Sequence, residues 1–295
     1  GQPVSFSTTG ALPTGITAGL TYYVVNQAAG TFQIAATVGG ASITTSGAQS
    51  GTHTCTAIGN TISAGQTITG ATSGATATVS AALLRTGTWS VAPVGTLVLT
   101  GIVGTFQSGE ALKVAGLYVT KTSSLAIRIA RAVGGRLEFF NYNFTGSTNT
   151  TKMYGCDGVN PAFEFDGTTY VPIRTGMTAD TPLHLIAHRG YLFLSFRASV
   201  QYSGIGNPYA WTIVLGAGDI STSTNVSGFI QQAGDGSGSS LAICTEERPF
   251  FLYGTSSVDF KLVTSSFDVG FIAYTAQQVS NDSFGMTTRG IQALG

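Results

Sequence analysis

The sequence predicts an all-β protein, and three observations support this prediction. Short runs of β-branched and aromatic residues, such as Thr21–Val25, Thr96–Leu99 and Tyr191–Leu194, are bounded by Gly, Asn, Pro or Ser. Glycine accounts for 40 of the 295 residues, about twice its average share. Strand-and-turn patterns also recur along the chain. Thr275–Val279 has a helical pattern but is too short to change the fold class.

Charge is scarce, balanced and unevenly distributed. The chain has 13 Lys and Arg against 13 Asp and Glu, and only 9% of its residues are charged. A neutral chain lacks the surplus of one sign that attracts DNA or an acidic substrate at long range. No charged side chain precedes Arg85. A soluble monomer normally mixes charges over its surface, so this segment is easier to understand inside an assembly.

Several common classes of site are missing from the sequence. Cys55, Cys156 and Cys244 are far apart and lack the close Cys and His pairs of a zinc site. No apolar run reaches the length of a membrane span, and the N-terminus does not read as a signal peptide. We therefore expect no metal, no cofactor and no membrane partner. Because the chain starts at Gly1 rather than Met, we also expect a processed protein or a fragment.

The first internal repeat aligns Thr61–Ile68 with Thr105–Leu112 without gaps. Each copy has an apolar residue, a glycine turn, a Gln or Glu, and a second apolar residue. Glycine supplies the positive φ that a tight turn needs. The repeat predicts two related β-hairpins at the edges of a small β-module.

The second repeat aligns Met153–Asn160 with Leu194–Gln201 and Leu252–Asp259. In each copy an apolar strand enters a short turn and returns as a second strand. Recurrence at about 40 to 50 residues is typical of β-propeller blades. The interval before the third copy is longer, and we place part of an insertion at Gly234–Ser239. Three hairpins do not close a ring, so either the chain is truncated or other segments complete it.

These patterns divide the chain into three parts. Residues 1–55 form a charge-free β-module, residues 56–115 form a second glycine-rich β-module, and residues 116–295 form a β-propeller-like region.

Candidate catalytic groups are few. If His184 and His188 lie on one strand, their side chains point to the same side about 13 Å apart. One metal ion cannot bridge that distance. We therefore expect one partly buried histidine and one turn histidine rather than a metal site. Glu164 and Asp166 share a strand face, as a glycosidase pair would, but we favour solvated hairpin charges. The adjacent Glu246 and Glu247 are interpreted in the same way.

The sequence contains neither a nucleophile elbow nor a phosphate-binding loop. Asp157–Asn160 and Asp166–Thr168 lack the ligand pattern of a calcium loop and indicate ordinary turns. A run of basic residues without an intervening acid could form a weak DNA-facing stripe, but we favour a solvated strand face whose charge is balanced by later acids. The residues of this basic stripe are Lys113, Lys121, Arg128, Arg131 and Arg136.

Two parts of the N-terminal half resemble small modules of tailed-bacteriophage structural proteins. The first is carried by Pro3–Pro13, Gly19–Asn26 and Thr31–Ile34, and the second by Gly65–Ala77. The resemblance implies a phage origin and does not indicate which part of the virion the chain belongs to.

Much of residues 136–295 resembles the propeller of short-tailed phage tail nozzle proteins, the tail tubular protein B family. The matching segments are Asp157–Gly167, Arg189–Ser195, Tyr202–Trp211 and Phe250–Gly254. The resemblance implies a homo-oligomeric ring, commonly a hexamer, that extends the portal and adaptor channel. Viral DNA would pass through this ring without specific binding. The implied partners are other virion tail proteins such as the portal adaptor and tail fibres, and no catalytic residues carry over.

We therefore expect a non-enzymatic virion protein, a tail nozzle or tail tube component assembled in the host bacterial cytoplasm. The alternative is a receptor-binding fibre or spike, or a capsid decoration protein, because charge-poor, glycine-rich β-modules suit these equally well. A third hypothesis, a carbohydrate-active propeller enzyme, requires acids and aromatic residues clustered around one channel.

Overall fold

The structure is a computed structural model that describes residues 2–58, 61–89, 91–232, 240–279 and 282–294. In these residues the chain forms β-strands and turns with one short 3₁₀ turn and no α-helix, which confirms the all-β prediction. The chain divides into two compact units, unit 1 (Gly1–Arg128) and unit 2 (Ile129–Gly295). No helix long and apolar enough to cross a membrane is found in the described residues.

The first sheet of unit 1 has the strand order β3-β2-β1-β4, with neighbours antiparallel. Val4, Tyr22 and Ile34 form its small buried core. The sheet lies in the part of the chain without Asp, Glu, Lys or Arg, so its exposed surface is polar mainly through hydroxyl and amide groups. Its strands are β1 (Pro3–Thr8), β2 (Thr21–Ala28), β3 (Thr31–Ala35) and β4 (His53–Ala57).

The second sheet of unit 1 has the order β7-β6-β5-β8-β9, again antiparallel. Ile68, Val79, Phe106 and Leu112 are among the side chains of its buried core. Its strands are β5 (Thr67–Gly70), β6 (Thr76–Thr88), β7 (Val91–Val103), β8 (Ala111–Val114) and β9 (Leu117–Lys121).

The repeat of Thr61–Ile68 and Thr105–Leu112 does not form two edge hairpins, so that prediction is wrong. Each copy is a tight turn that leads into β5 or β8, and these two strands pair with each other in the middle of the sheet. Gly65 and Gly109 have the predicted positive φ, 85° and 76°. The copies are therefore structural equivalents that meet at the centre of the sheet.

The hydrogen bonds of the two turns match one another. Gly65 N–H donates to Val79 O at 2.8 Å, and Gly109 N–H donates to Thr122 O at 3.0 Å. The side chain of Gln66 accepts from the backbone N–H three residues earlier, and so does that of Glu110. Because a repeated sequence makes repeated contacts, the sheet has two similar halves.

Unit 2 contains four antiparallel sheets in its described residues, each built from strands consecutive in the chain: β10–β13, β14–β17, β18–β21 and β22–β24. The first strands β10, β14, β18 and β22 contact one another in that order. The strands are β10 (Glu138–Tyr142), β11 (Lys152–Cys156), β12 (Phe163–Phe165), β13 (Tyr170–Pro172), β14 (Leu185–His188), β15 (Tyr191–Phe196), β16 (Ser199–Tyr202), β17 (Gly218–Ser221), β18 (Val226–Gln231), β19 (Leu241–Thr245), β20 (Phe250–Tyr253), β21 (Lys261–Thr264), β22 (Gln277–Val279), β23 (Asp282–Thr287) and β24 (Gly290–Leu294).

These sheets pack face to face in chain order. On β15, Tyr191 and Phe193 belong to a core shared with the β18–β21 sheet. Leu192 and Leu194, on the opposite face, belong to a core shared with the β10–β13 sheet. On β19, Ile243 enters the first of these cores, while its other face packs against the β22–β24 sheet. Because side chains alternate along a strand, the middle sheets are covered on both faces.

The second repeat is only partly equivalent in the structure. Its first two copies lie on β11 and β15, each the second strand of its sheet, but the third copy lies on β20, the third strand. The apolar residues of Leu252–Gly254 match the pattern without occupying the matching position. The structural counterpart of β15 is β19, because β19 pairs with β18 and β20 and is therefore the second strand of its sheet. The position of a strand in its sheet is set by this pairing and not by its local composition.

The predicted boundaries can be compared with the observed elements. The first unit 1 sheet ends at Ala57, against a predicted boundary at 55, and the second ends at Lys121, so the boundary at 115 falls in the β8–β9 turn. The predicted insertion at Gly234–Ser239 lies outside the described residues. The segment considered helical, Thr275–Val279, contains β22.

We expect Glu110→Ala to lower the unfolding temperature of the full chain more than Gln66→Ala, its match in the other half of the sheet. Glu110 is 5% exposed and accepts hydrogen bonds from Gln107 N and from the backbone and hydroxyl of Ser73. The Gln66 side chain accepts from Ser63 N. Losing more acceptors leaves more buried donors unpaired. Equal losses in thermal unfolding would contradict this expectation.

The contribution of Glu110 to the stability of the fold should also depend on pH. Burial acts to raise the pKa of Glu110, but the hydrogen bonds outweigh it and hold the pKa below its ordinary value. Such a carboxylate stabilises the fold above its unfolded-state pKa, and this stabilisation is lost as the pH falls through the folded-state pKa. The difference between wild type and Glu110→Ala should therefore be larger near neutral pH than at about pH 3, as measured by circular dichroism.

Candidate functional site

The first strands of the unit 2 sheets begin around two cavities of about 350 and 260 Å³. Both cavities are lined by His184 and Tyr274. We call the polar side chains around them the strand-start site. The larger cavity adds Arg197, Asn225 and Glu246, and the smaller cavity adds Arg136, Glu138 and Gln277.

His184 is fixed at the centre of the strand-start site. It is only 2% exposed, and its Nδ1 lies 2.7 Å from Oε2 of Glu138, the first residue of β10. Its backbone N–H donates to Ser195 Oγ, and its carbonyl accepts from Ser195 N–H, each at 3.0 Å. The partly buried histidine predicted from sequence is thus a buried one that joins two sheets. Nothing in the local sequence identifies Glu138 as its partner.

Tyr274 is the aromatic side chain shared by both cavities. Its backbone has φ of 65°, a left-handed conformation that is uncommon outside glycine. Its N–H donates to Ser227 O at 3.1 Å. The ring centroid lies 4.7 Å from that of His184 and 4.4 Å from the guanidinium carbon of Arg136. Burial, followed by the charge of Glu138, raises the pKa of the Tyr274 phenol.

The larger cavity also brings together side chains that are distant in sequence. Asn225 Nδ2 donates to Glu246 Oε2 at 3.1 Å. Arg197 has φ of 57°, and its carbonyl accepts from Val226 N–H at 2.8 Å, which ties the end of β15 to the start of β18. Of the adjacent pair Glu246 and Glu247, only Glu246 lines the cavity, although both are exposed as the sequence predicted.

Glu164 is not a solvated hairpin charge, so that prediction is wrong for this residue. It is 3% exposed, receives a hydrogen bond from Tyr154 OH at 2.7 Å and pairs with Lys152 Nζ at 2.5 Å. Asp166 is exposed and accepts from the backbone N–H groups of Thr168 and Thr169, as turn chemistry predicts. The two carboxylates therefore have different surroundings and different roles.

The basic stripe is divided between the two units. Lys113, Lys121 and Arg128 belong to unit 1, where Lys113 lies on β8 and Lys121 ends β9. In unit 2, Arg136 lines the smaller cavity. That these residues face DNA stays a prediction.

Arg131, the remaining stripe residue, is held by internal partners. Its guanidinium pairs with Asp157 at 2.5 Å and donates to Tyr170 OH at 2.7 Å. The same group lies 4.7 Å from the ring centroid of Phe163. Its charge is thus largely engaged within unit 2 and only partly exposed.

His188 is not the turn histidine that the sequence predicts. It is the last residue of β14 and is 1% exposed. Among the described residues neither ring nitrogen has a hydrogen-bond partner. Burial, followed by the charge of Arg189, lowers the pKa of His188 to about 4.

Within the described residues, no group of His, Cys, Asp and Glu is arranged to hold a metal ion. Cys156 and Cys244 are buried, whereas Cys55 is exposed. Comparisons with known proteins find no match to this chain among protein-family models, curated proteins or solved structures.

We expect the full chain to lose stability as the pH falls from about 6.5 to about 4, partly through His188. A histidine with a lowered folded-state pKa is protonated first in the unfolded state, so acid favours unfolding across this window. The loss in the free energy of unfolding that His188 causes approaches about 1.4 kcal/mol for each pH unit. Urea unfolding at several pH values measures it.

His188→Leu and His188→Gln separate titration from packing. Neither replacement titrates in this window, so both should flatten the pH dependence relative to wild type. Only His188→Leu removes the buried polar atoms, so it should be the more stable of the two near neutral pH. If the pH dependence of stability is the same in both variants as in wild type, His188 does not cause the loss of stability in acid.

Proposed function

We propose that this protein is a non-enzymatic structural component of a bacteriophage virion, a tail nozzle or tail tube protein that forms part of the DNA ejection channel. The observation that carries the proposal is the stacking of the unit 2 sheets. Each sheet is a run of consecutive antiparallel strands, and the first strands lie side by side. Successive blades of a β-propeller have this organisation, and the resemblance to nozzle proteins covers the same region.

The distribution of charge supports a role inside an assembly. The first sheet of unit 1 and much of the second come before Arg85, the first charged residue. Surfaces of hydroxyl, amide and apolar groups suit extensive contact between subunits. We propose a homo-oligomeric ring with other tail proteins, such as the portal adaptor and tail fibres, as neighbours in the virion.

The electrostatics of the chain suit a passage for DNA. Tight binding to DNA requires several Lys or Arg side chains that neutralise phosphates. The net charge is zero, and Arg131 is engaged by Asp157. A wall of this kind lets DNA slide because it provides few strong phosphate contacts.

Exposed aliphatic side chains on neighbouring turns of unit 2 offer a surface for subunit contact. Ile213 and Val214 are 85% and 95% exposed, and Val258 is 94% exposed. Gly216, at the end of the first turn, lies beside the side chain of Ser257. Exposed apolar groups on adjoining turns are suited to burial at a protein interface. We call these three aliphatic residues the turn patch.

The proposal is tested by imaging purified full-length chain with negative-stain electron microscopy. We expect rings with axial symmetry, alone or with co-expressed tail proteins. In intact particles, antibody labelling should locate the chain at the tail tip. A stable monomer that never associates with tail proteins would overturn the proposal. Labelling on fibres or over the capsid would favour the receptor-binding or decoration alternative.

Val214→Asp and Val258→Asp test the turn patch. Each places a charge where subunits are expected to meet, so both should shift the chain from rings toward monomers in sedimentation velocity. Thr178→Asp is the matched control, because it adds the same charge at an exposed loop position of unit 2 outside the turn patch. Rings that survive both patch variants, or dissociate equally in the control, would exclude this surface as the contact.

A further inference from the structure

The strand-start site has properties that the structural role does not require. A stacked array of sheets needs apolar faces, yet this end carries a buried His184, a strained Tyr274 and ionisable side chains around two cavities. The larger cavity is within the range of about 300 to 1,000 Å³ usual for ligand sites, and the smaller is just below it. The two share lining residues, so a ligand that extends through both would contact the same central pair.

Charge balance defines the class of ligand. Arg136 and Arg197 bring two positive charges, and Glu138 and Glu246 bring two negative charges. A site for a phosphate or a carboxylate would have an excess of cations, and a site for an amine would have an excess of carboxylates. A balanced set favours an uncharged ligand with many polar groups.

Hydrogen-bonding chemistry narrows the class further. Carboxylates accept, guanidinium groups donate, and amides such as Asn225 and Gln277 do both. Each of these side chains presents its polar atoms in one plane, which matches neighbouring hydroxyl groups on a ring. Sugar hydroxyls both donate and accept, so one saccharide satisfies all three kinds of partner.

Several of these groups are held in place before any ligand arrives. Glu138 fixes the His184 ring, Glu246 is bound by Asn225, and the backbone of Tyr274 is held by Ser227. Preorganised groups lose less entropy when a ligand binds. A left-handed conformation at Tyr274 is also the kind of strain that marks functional sites.

We propose that the strand-start site binds a neutral saccharide. The cavities take the sugar, Glu246, Asn225 and Arg197 bind its hydroxyls on one side, and Glu138, Arg136 and Gln277 do so on the other. This binding goes beyond the structural role and does not depend on ring formation.

Saturation-transfer difference NMR on the full-length chain tests the proposal. The probes are the neutral disaccharides maltose, cellobiose, lactose and N,N′-diacetylchitobiose, with glucuronate and glucosamine as charged comparisons. We expect at least one neutral disaccharide to bind and the charged sugars to bind more weakly. Binding of none of the neutral probes at millimolar concentration, or preference for a charged sugar, would overturn the proposal.

Paired variants locate the site. Glu246→Ala should weaken binding about tenfold, the effect of losing a hydrogen bond to a charged group. Glu247→Ala is the matched control, because this adjacent exposed carboxylate does not line the cavities, and it should leave binding unchanged. Equal weakening by both variants, or by neither, would place the sugar elsewhere and overturn the assignment.

Tyr274→Gly separates the aromatic ring from the backbone. Glycine adopts positive φ without strain, so this variant keeps the turn while it removes the ring, and it should weaken binding about tenfold or more. Circular dichroism checks that the fold is retained. If a folded Tyr274→Gly protein binds the sugar as tightly as wild type, Tyr274 is not part of the site.

Discussion

Burial of both faces of the middle sheets is the constraint on which the architecture of unit 2 depends. A short antiparallel sheet cannot cover its own faces, so each needs a neighbour on either side. β15 and β19 meet this need with apolar side chains in both directions. His184 and Tyr274 of the strand-start site lie outside these strands, in the segments that precede β14 and β22.

Much of the fold follows from local sequence, whereas the pairing of its parts does not. The strand at Tyr191–Leu194 and the positive φ at Gly65 and Gly109 depend on neighbouring residues, and both were predictable. That β5 pairs with β8 at the centre of a sheet depends on contacts across the chain. The same distinction explains why a repeated apolar pattern at Leu252–Gly254 occupies a different strand position.

The candidate site was less predictable than the fold for the same reason. Glu138 is the first residue of β10, whereas His184 directly precedes β14 of the next sheet, and no spacing rule connects them. Glu164 has the sequence context of a hairpin charge, but in the fold its buried carboxylate is bound by Tyr154 and Lys152. Composition reveals that a carboxylate is present, but its solvation depends on residues that the fold brings to it.

The charge-free segment has a consequence for the behaviour of its surface. Dissolved salt weakens interactions between exposed charges because ions screen the field of each charge over a distance of about 10 Å at 0.1 M. In the β1–β4 sheet no Asp, Glu, Lys or Arg is available for such contacts. Any interface made there rests on hydrogen bonds and apolar packing, so it is largely indifferent to ionic strength. Contacts of this kind would hold equally well in dilute and in concentrated salt solutions.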